Sequence, residues 1–79
     1  MSVKVFTQNG CPPCRMLKKF LNDERIVFEE FNVNEDEKAL NTIKEMGIST
    51  VPVTMIDGEV ILGFNISQIR ELLGIKLNK

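Results

Sequence analysis

Two consecutive prolines, Pro12 and Pro13, separate the two cysteines of this chain, Cys11 and Cys14. A residue before proline is held out of the helical region, whereas proline suits the first position of a helix. We therefore predict that Cys11 caps a helix that begins at Pro12. The apolar segment Val3–Phe6 comes shortly before and has the residue types of a buried strand. The motif thus requires the chain to pass from a strand into a helix at this point.

The remaining sequence alternates between signals for helices and signals for strands. Asn34, followed three residues later by Glu37, predicts a capping box at the start of the second helix. Asp57-Gly58 is typical of a two-residue hairpin turn. We predict the following elements after the first strand: helix Pro12–Asp23, strand Ile26–Phe31, a helix from Asn34 to Gly47, strands Pro52–Ile56 and Glu59–Leu62, and a helix from Asn65 or Ser67 to Gly74.

This order, β-α-β-α-β-β-α, predicts a single α/β domain that covers residues 1–79. Two strands joined through a helix are expected to be parallel, and the hairpin adds two antiparallel strands. The expected architecture is a four-stranded mixed sheet flanked by three helices. Met16, Met46 and Met55 are predicted to fill gaps in its core.

Composition excludes several kinds of partner. The 79 residues carry ten basic and eleven acidic side chains, so no basic surface for nucleic acid is indicated. No apolar run reaches membrane-spanning length, and the N-terminus lacks the apolar core of a signal peptide. We therefore expect a cytoplasmic protein without nucleic-acid or membrane partners, and we expect a monomer. In a reducing compartment a cysteine pair is seldom structural.

The position predicted for Cys11 favours thiolate chemistry. At a helix N-terminus the free amides, including that of Cys14, and the helix dipole stabilise negative charge on sulfur. Such surroundings lower a cysteine pKa from its usual value of about 8.5. Cys14, one turn later on the inner face, is expected to be less exposed than Cys11. That asymmetry suits disulfide exchange, in which an exposed Cys11 attacks a substrate disulfide and Cys14 resolves the mixed disulfide.

Three other interpretations of the cysteine pair compete with disulfide exchange. As a structural staple the disulfide would close a loop of only four residues, which stabilises less than the about 3 kcal/mol of a fifteen-residue loop. As an incidental cap, cysteine is inferior to serine, threonine or aspartate. As a metal site, the pair supplies half of a tetrahedral set, and the chain has neither a third cysteine nor a histidine, so a dimer would be needed. A metal-binding CxxC module therefore remains as the less favoured alternative to an enzyme.

Three segments of the sequence resemble the glutaredoxin branch of the thioredoxin superfamily, over nearly the whole chain: Cys11-Pro12-Pro13-Cys14, Thr50-Val51-Pro52 and Gly63-Phe64-Asn65. The resemblance implies a thioredoxin-like fold and a thiol–disulfide oxidoreductase with no metal and no cofactor beyond the Cys11–Cys14 disulfide. It also implies that Pro52 is cis and lies against the Cys11 sulfur, and that the Val51 backbone pairs with the substrate. The second and third segments are then the substrate-binding segments.

Several residues depart from the glutathione-using members of that branch. Those members usually carry a basic residue three before the first cysteine, where this chain has Gln8, and often a tyrosine where it has Pro13. The second helix begins with Glu35, Asp36 and Glu37, whose charge would repel a glutathione carboxylate. The Gly-Gly and Cys-Asp pairs of those members correspond to Leu62-Gly63 and Phe64-Asn65.

The short chain and its Gly63-Phe64 pair are more similar to the NrdH-type redoxins. This similarity implies an electron donor that takes electrons from thioredoxin reductase and reduces a protein disulfide, that of ribonucleotide reductase. CPPC is not the usual motif of those redoxins. A glutathione-dependent glutaredoxin therefore remains the alternative.

Overall fold

The predicted succession of strands and helices is present in the computed structural model of the chain, which describes residues 2–74. Met1 and residues 75–79, the two ends of the predicted domain, lie outside the described residues. The elements are β1 (Val3–Thr7), α1 (Pro12–Asp23), β2 (Glu29–Asn32), α2 (Glu37–Glu45), β3 (Val53–Ile56), β4 (Glu59–Leu62) and α3 (Ile66–Leu73). Among the described residues, no helix combines the length and apolar character needed to cross a membrane.

The four strands form one mixed sheet in the order β2-β1-β3-β4. β1 and β2, which are joined through α1, are parallel, whereas β1–β3 and β3–β4 are antiparallel. Asp57 and Gly58 both have positive φ, 48° and 92°, as the predicted hairpin turn requires. The predicted architecture, a four-stranded mixed sheet with three helices, is confirmed.

Two apolar clusters hold the helices to the two faces of the sheet. The first joins β1, β3 and β4 to α1 and α3, with Leu17, Leu21 and Ile69 fully buried. The second joins Phe6 of β1 and Val53 of β3 to α2. Because side chains alternate along a strand, β1 contributes to both clusters. Burial on both faces makes β1 and β3 the centre of the fold.

The second strand begins later than predicted, at Glu29 instead of Ile26, and ends at Asn32. The chain leaves α1 through Arg25, whose φ of 60° is left-handed. The amide of Ile26 then donates to the Leu21 carbonyl at 2.8 Å, and its side chain packs against the first cluster. This arrangement is a Schellman motif, and it uses Ile26 to end the helix instead of to begin the strand.

The second helix is capped by Asp36 and not by Asn34. Asp36 Oδ1 accepts hydrogen bonds from the Lys38 and Ala39 amides at 3.0 and 3.2 Å. Asn34 is engaged elsewhere, because its Oδ1 accepts the Asn9 amide at 2.6 Å. The predicted capping box is therefore wrong. Asn34 and Asp36 are both suitable capping residues, and the hydrogen bond from Asn9 in a distant loop to Asn34 leaves Asp36 as the cap.

The segments around the third strand and the last helix differ from the prediction by one residue or less. β3 begins at Val53 and not at Pro52, since proline has no amide hydrogen for the ladder. The Val51–Pro52 peptide bond is cis, as the resemblance implied. Of the two caps left open for α3, the structure has Asn65, whose Oδ1 accepts the Gln68 amide at 3.2 Å.

The methionines are only partly the core filler that was predicted. Met55 is half-buried against the second cluster. Met16 is 57% exposed, and Met46, the residue that ends α2, is 37% exposed. Helical spacing predicted that these two side chains lie on the apolar faces of their helices. In the structure each lies at the solvent-exposed edge of that face.

Candidate active site

The three sequence motifs lie at one end of the sheet. Strand pairing places Phe6, Val53 and Leu62 side by side. The chain leaves β1 for the cysteine motif just beyond Phe6, enters β3 from Pro52 and leaves β4 at Gly63. The Gly63 amide donates a hydrogen bond to the Pro52 carbonyl at 2.8 Å, which joins two of the motifs directly. Antiparallel pairing therefore assembles segments that are far apart in the sequence.

Cys11 is the N-cap of α1, as predicted. Its φ and ψ of −112° and 98° are extended, and its Sγ accepts a hydrogen bond from the Cys14 amide at 3.2 Å. The Arg15 amide donates to the Cys11 carbonyl at 3.2 Å, so the first helical turn closes on this residue. Cys11 and Cys14 form a disulfide, with 5.2 Å between their Cα atoms. The Cys11 sulfur thus lies at the positive end of the helix dipole.

The two cysteines differ less in exposure than the sequence predicted. Cys11 is 6% exposed and Cys14 is 2% exposed, so the predicted order is present but both residues are buried. Closing the disulfide ring holds the Cys11 sulfur against the first turn of α1. Pro12 and Pro13 are exposed and form the outer side of the motif. The expectation of an exposed Cys11 sulfur is therefore wrong for the disulfide form.

A pocket of about 420 Å³ lies beside the second motif. Its walls come from the residues that follow β1 and β2, from α2 and from the loop before β3. Thr50 and Val51, two of the predicted substrate-binding residues, line it together with Gln8, which lies three residues before Cys11. The other lining residues are Val33, Leu40, Ile43, Lys44, Ile48 and Ser49. The pocket is therefore a largely apolar groove that extends from the loop before the cysteine motif to the Thr50-Val51 segment.

The third motif leads from β4 into α3. Gly63 has a φ of 75°, a left-handed conformation that suits glycine. Phe64 is a large apolar side chain that is 43% exposed at the active-site end. Asn65 is the cap of α3, and its amide group also donates to Gln68 Oε1 at 3.1 Å. Asn65 therefore has a structural role, because it caps α3. The exposed ring of Phe64 does not cap a helix.

A polar network beneath the site was missed in the sequence. Thr7, only 1% exposed, donates from Oγ1 to Glu30 Oε2 at 2.8 Å, and Lys18 donates to the same oxygen at 2.9 Å. The Lys18 hydrogen bond is the main cause that lowers the pKa of Glu30; the Thr7 bond acts in the same direction and burial opposes both. The sequence does contain a signal for this network, because Val3, Val5 and Thr7 alternate along the strand and so share one buried face. A polar side chain on a buried face needs a hydrogen-bond partner.

A second network fixes the loop that precedes the cysteines. Asn32 Nδ2 donates to Asn9 Oδ1 at 2.9 Å, and the Asn9 amide donates to Asn34 Oδ1. The Asn34 amide in turn donates to Asn32 Oδ1 at 2.8 Å. Three asparagines thus tie the loop before Cys11 to the loop before α2. No spacing in the sequence relates Asn9 to residues more than twenty positions away.

The charge around the site is uneven. The acidic start of α2 was predicted from Glu35, Asp36 and Glu37, and Glu35 and Asp36 line a second pocket with Glu30. Within residues 2–74, no group of three or more histidine, cysteine, aspartate or glutamate residues is placed to hold a metal ion.

Lys44, which sequence reasoning did not select, is the one charged side chain among the residues that line the groove beside Val51.

Comparisons with known proteins agree with this geometry. The glutaredoxin family model matches residues 3–61. The glutaredoxin-like protein NrdH of Lactococcus lactis is 34% identical over 70 residues, which cover 89% of this chain and 97% of that protein. The crystal structure of the thioredoxin-like protein BC3987 is 38% identical, with a TM-score of 0.83 over 90% of this chain and 99% of the other.

NrdH-redoxin of Escherichia coli, a glutaredoxin-like protein with a thioredoxin-like activity profile, is 25% identical. Its TM-score is 0.85, over 91% of this chain and 95% of the other. Similarity to these relatives extends over most of the chain. It accompanies three structural features: the helix-capping cysteine pair, the cis Val51–Pro52 bond and the sheet order. The chain therefore belongs to the glutaredoxin family of thiol–disulfide oxidoreductases, and within it resembles the NrdH-type redoxins.

Proposed function

We propose that this protein reduces disulfides of other proteins, with Cys11 as the attacking and Cys14 as the resolving residue. The observation that carries the proposal is the hydrogen bond from the Cys14 amide to Cys11 Sγ, 3.2 Å long, at the N-terminus of α1. After reduction, that donor and the helix dipole favour the thiolate of Cys11. The thiolate is the nucleophile in disulfide exchange.

The reaction proceeds in two exchanges. The Cys11 thiolate attacks one sulfur of the substrate disulfide, a mixed disulfide forms, and the second substrate cysteine leaves as a thiolate. Cys14, deprotonated in turn, attacks Cys11 Sγ, which re-forms the intramolecular disulfide and releases the first substrate cysteine. Two electrons pass to the substrate and no cofactor other than the Cys11–Cys14 pair takes part. The short separation of the two residues in the disulfide, 5.2 Å between Cα atoms, supports the resolving step.

The remaining motif residues are assigned to substrate contact in this proposal. Thr50, Val51 and Pro52 form the edge along which the substrate backbone lies, and Gly63, Phe64 and Asn65 lie beside them and provide further contacts. Two observations support this assignment: Thr50 and Val51 line the groove, and Phe64 is 43% exposed. Pro12 and Pro13 limit the freedom of the loop between the two sulfurs.

The proposed reductant is thioredoxin reductase, and the proposed electron acceptor is ribonucleotide reductase. Similarity to proteins named NrdH, one of them with a thioredoxin-like activity profile, supports the assignment. The chain itself supports it through Gln8, a neutral residue on the groove at the position where glutathione-using members usually carry a basic one. The protein would act as a single-domain monomer in the cytoplasm.

A parallel pair of assays on the oxidised protein tests the reductant. One contains NADPH and thioredoxin reductase, and the other contains NADPH, glutathione and glutathione reductase. Each missing charge-assisted contact with glutathione costs about 1.5–3 kcal/mol, so we expect the thioredoxin reductase assay to be at least tenfold faster. Gln8→Arg should increase the glutathione rate and leave the other rate unchanged. Equal or faster reduction by glutathione would contradict the NrdH-type assignment.

Glutathione-dependent activity is the second candidate, and Lys44 is the observation that favours it. This cation lines the groove and could attract a glutathione carboxylate. Both candidates use the same chemistry at Cys11, so a second experiment tests that chemistry alone. Cys14→Ser should trap a stable mixed disulfide with a protein substrate, detectable by mass spectrometry, whereas Cys11→Ser should trap none. Full activity of Cys14→Ser on a protein disulfide would refute the resolving role.

A further inference from the structure

The groove beside Val51 combines five aliphatic side chains with a single positive charge. Val33, Leu40, Ile43, Ile48 and Val51 provide the apolar wall, and Lys44 is the only charged residue among those that line it. We propose that this groove selects protein disulfides whose reactive cysteine is flanked by a bulky apolar residue and, beyond it, by a carboxylate. This inference rests on the proposed function, because it names the substrate chemistry recognised at that same site.

The apolar wall is part of the packed interior. Val33 and Ile43 are 8% and 5% exposed and belong to the second cluster, and the other three aliphatic residues pack against that cluster. These side chains are therefore held in place before any substrate binds. A preformed apolar pocket favours an apolar side chain, because burial removes apolar surface from water without a cost of ordering the wall. Glutathione offers no such side chain.

The positive charge lies at the helical side of the groove. Lys44 belongs to the last turn of α2, and the two ion pairs found among residues 2–74 use Lys18 and Lys19 instead. An ammonium group that is not already paired attracts a carboxylate brought to the same groove. The acidic residues Glu35 and Asp36 line a different pocket, so they do not share the lining of this one. The local charge therefore favours an anionic group on the substrate.

The position of the groove beside Val51 determines where the apolar residue and the carboxylate lie along the substrate segment. Val51 lines it and lies in the segment that is proposed to pair with the substrate backbone. In an extended segment, side chains alternate between two sides, so a residue near the reactive cysteine can enter the groove while the backbone continues past it. A carboxylate further along the same segment then reaches Lys44. The selected partner is thus an extended, cysteine-bearing segment with apolar and acidic residues on one side of the cysteine.

Synthetic peptides test this selection. Each contains one cysteine as a mixed disulfide with uncharged 2-mercaptoethanol, and each carries leucine or serine near the cysteine and glutamate or glutamine beyond it. Both the N-terminal and the C-terminal side are scanned. The dithiothreitol-reduced protein is mixed with each peptide in a single turnover. On one side of the cysteine, we expect leucine to increase the second-order rate constant about tenfold over serine, and glutamate to add about threefold.

Two variants assign the charge effect. In Lys44→Gln the advantage of glutamate should disappear while the advantage of leucine remains. Lys38→Gln is the matched control, because Lys38 is exposed on the same helix but does not line the groove. It should keep both advantages. In the wild type the glutamate effect should also vanish in 1 M salt, where the Debye length is about 3 Å.

The outcomes separate this inference from the proposed function. Bis(2-hydroxyethyl) disulfide, which is small and uncharged, measures the exchange chemistry without the groove. If it is reduced but all peptides react equally, the inference is wrong and the proposed function stands. If neither it nor any peptide is reduced, the proposed function itself fails. Glutathione disulfide reacting faster than the leucine–glutamate peptide would likewise overturn the selection of an apolar segment.

Discussion

Replacing Lys18 by methionine should destabilise the protein through its effect on Glu30. Lys18 Nζ lies 2.9 Å from Glu30 Oε2, with side chains 31% and 35% exposed, and the same oxygen accepts a hydrogen bond from the buried Thr7. Hydrogen bonds to charged groups contribute about 1.5–3 kcal/mol when well buried. Because Glu30 remains about one-third exposed, we discount that to about 1 kcal/mol. For a chain of this size the expected decrease in melting temperature is about 4–8 °C.

The pH dependence of that cost follows from the pKa of Glu30, which the Lys18 hydrogen bond lowers from its ordinary value of 4.5. A carboxylate with a lowered folded-state pKa stabilises the protein fully above its unfolded-state value. The contribution is lost as the pH falls through the folded-state pKa. Lys18→Met should therefore cost about 1 kcal/mol at neutral pH and progressively less below about pH 4.5.

Urea denaturation of the wild type and the variant, between about pH 7 and pH 3, measures both effects. Lys19→Met is the matched control. Its partner Asp23 lies 3.0 Å away, but the two side chains are 77% and 62% exposed, so the change should cost less than about 0.5 kcal/mol. Equal costs for the two variants, or a cost of Lys18→Met that does not decline on acidification, would contradict the stabilising role of the Lys18–Glu30 pair.

Three further changes test the fold by the same denaturation measurement. Asp36→Ala should cost about 1 kcal/mol and Asp36→Asn only a few tenths, since asparagine is an equivalent cap; equal costs would contradict the capping role. Leu17→Ala should lower the free energy of unfolding by about 2–5 kcal/mol, because the Leu17 side chain is 0% exposed. Met16→Ala, at the exposed neighbouring residue, should lower it by less than about 0.5 kcal/mol. Gly58→Ala should cost about 1–2 kcal/mol because φ is 92°, and an unchanged midpoint would argue against that backbone conformation.

Local chemistry made much of the fold and part of the site predictable. The prolines after Cys11 place a helix start there, and its predicted hydrogen bond from the Cys14 amide is present. Asp57-Gly58 has the two positive φ angles that its residue types favour. In each case the interacting groups lie within a few residues, so the conformational preference of the backbone is enough to decide the structure.

The sequence by itself determined the order of elements, the helix-capping cysteine pair and the hairpin, because these depend on short-range backbone preferences. Only the tertiary structure decided the cap of α2, where a contact from Asn9 engages Asn34 and leaves the helix terminus to Asp36. It also decided the Thr7–Glu30 hydrogen bond between residues 23 positions apart, and the single positive charge on the groove. These features are set by strand pairing and helix packing, which bring distant side chains within reach and are not encoded in any local spacing.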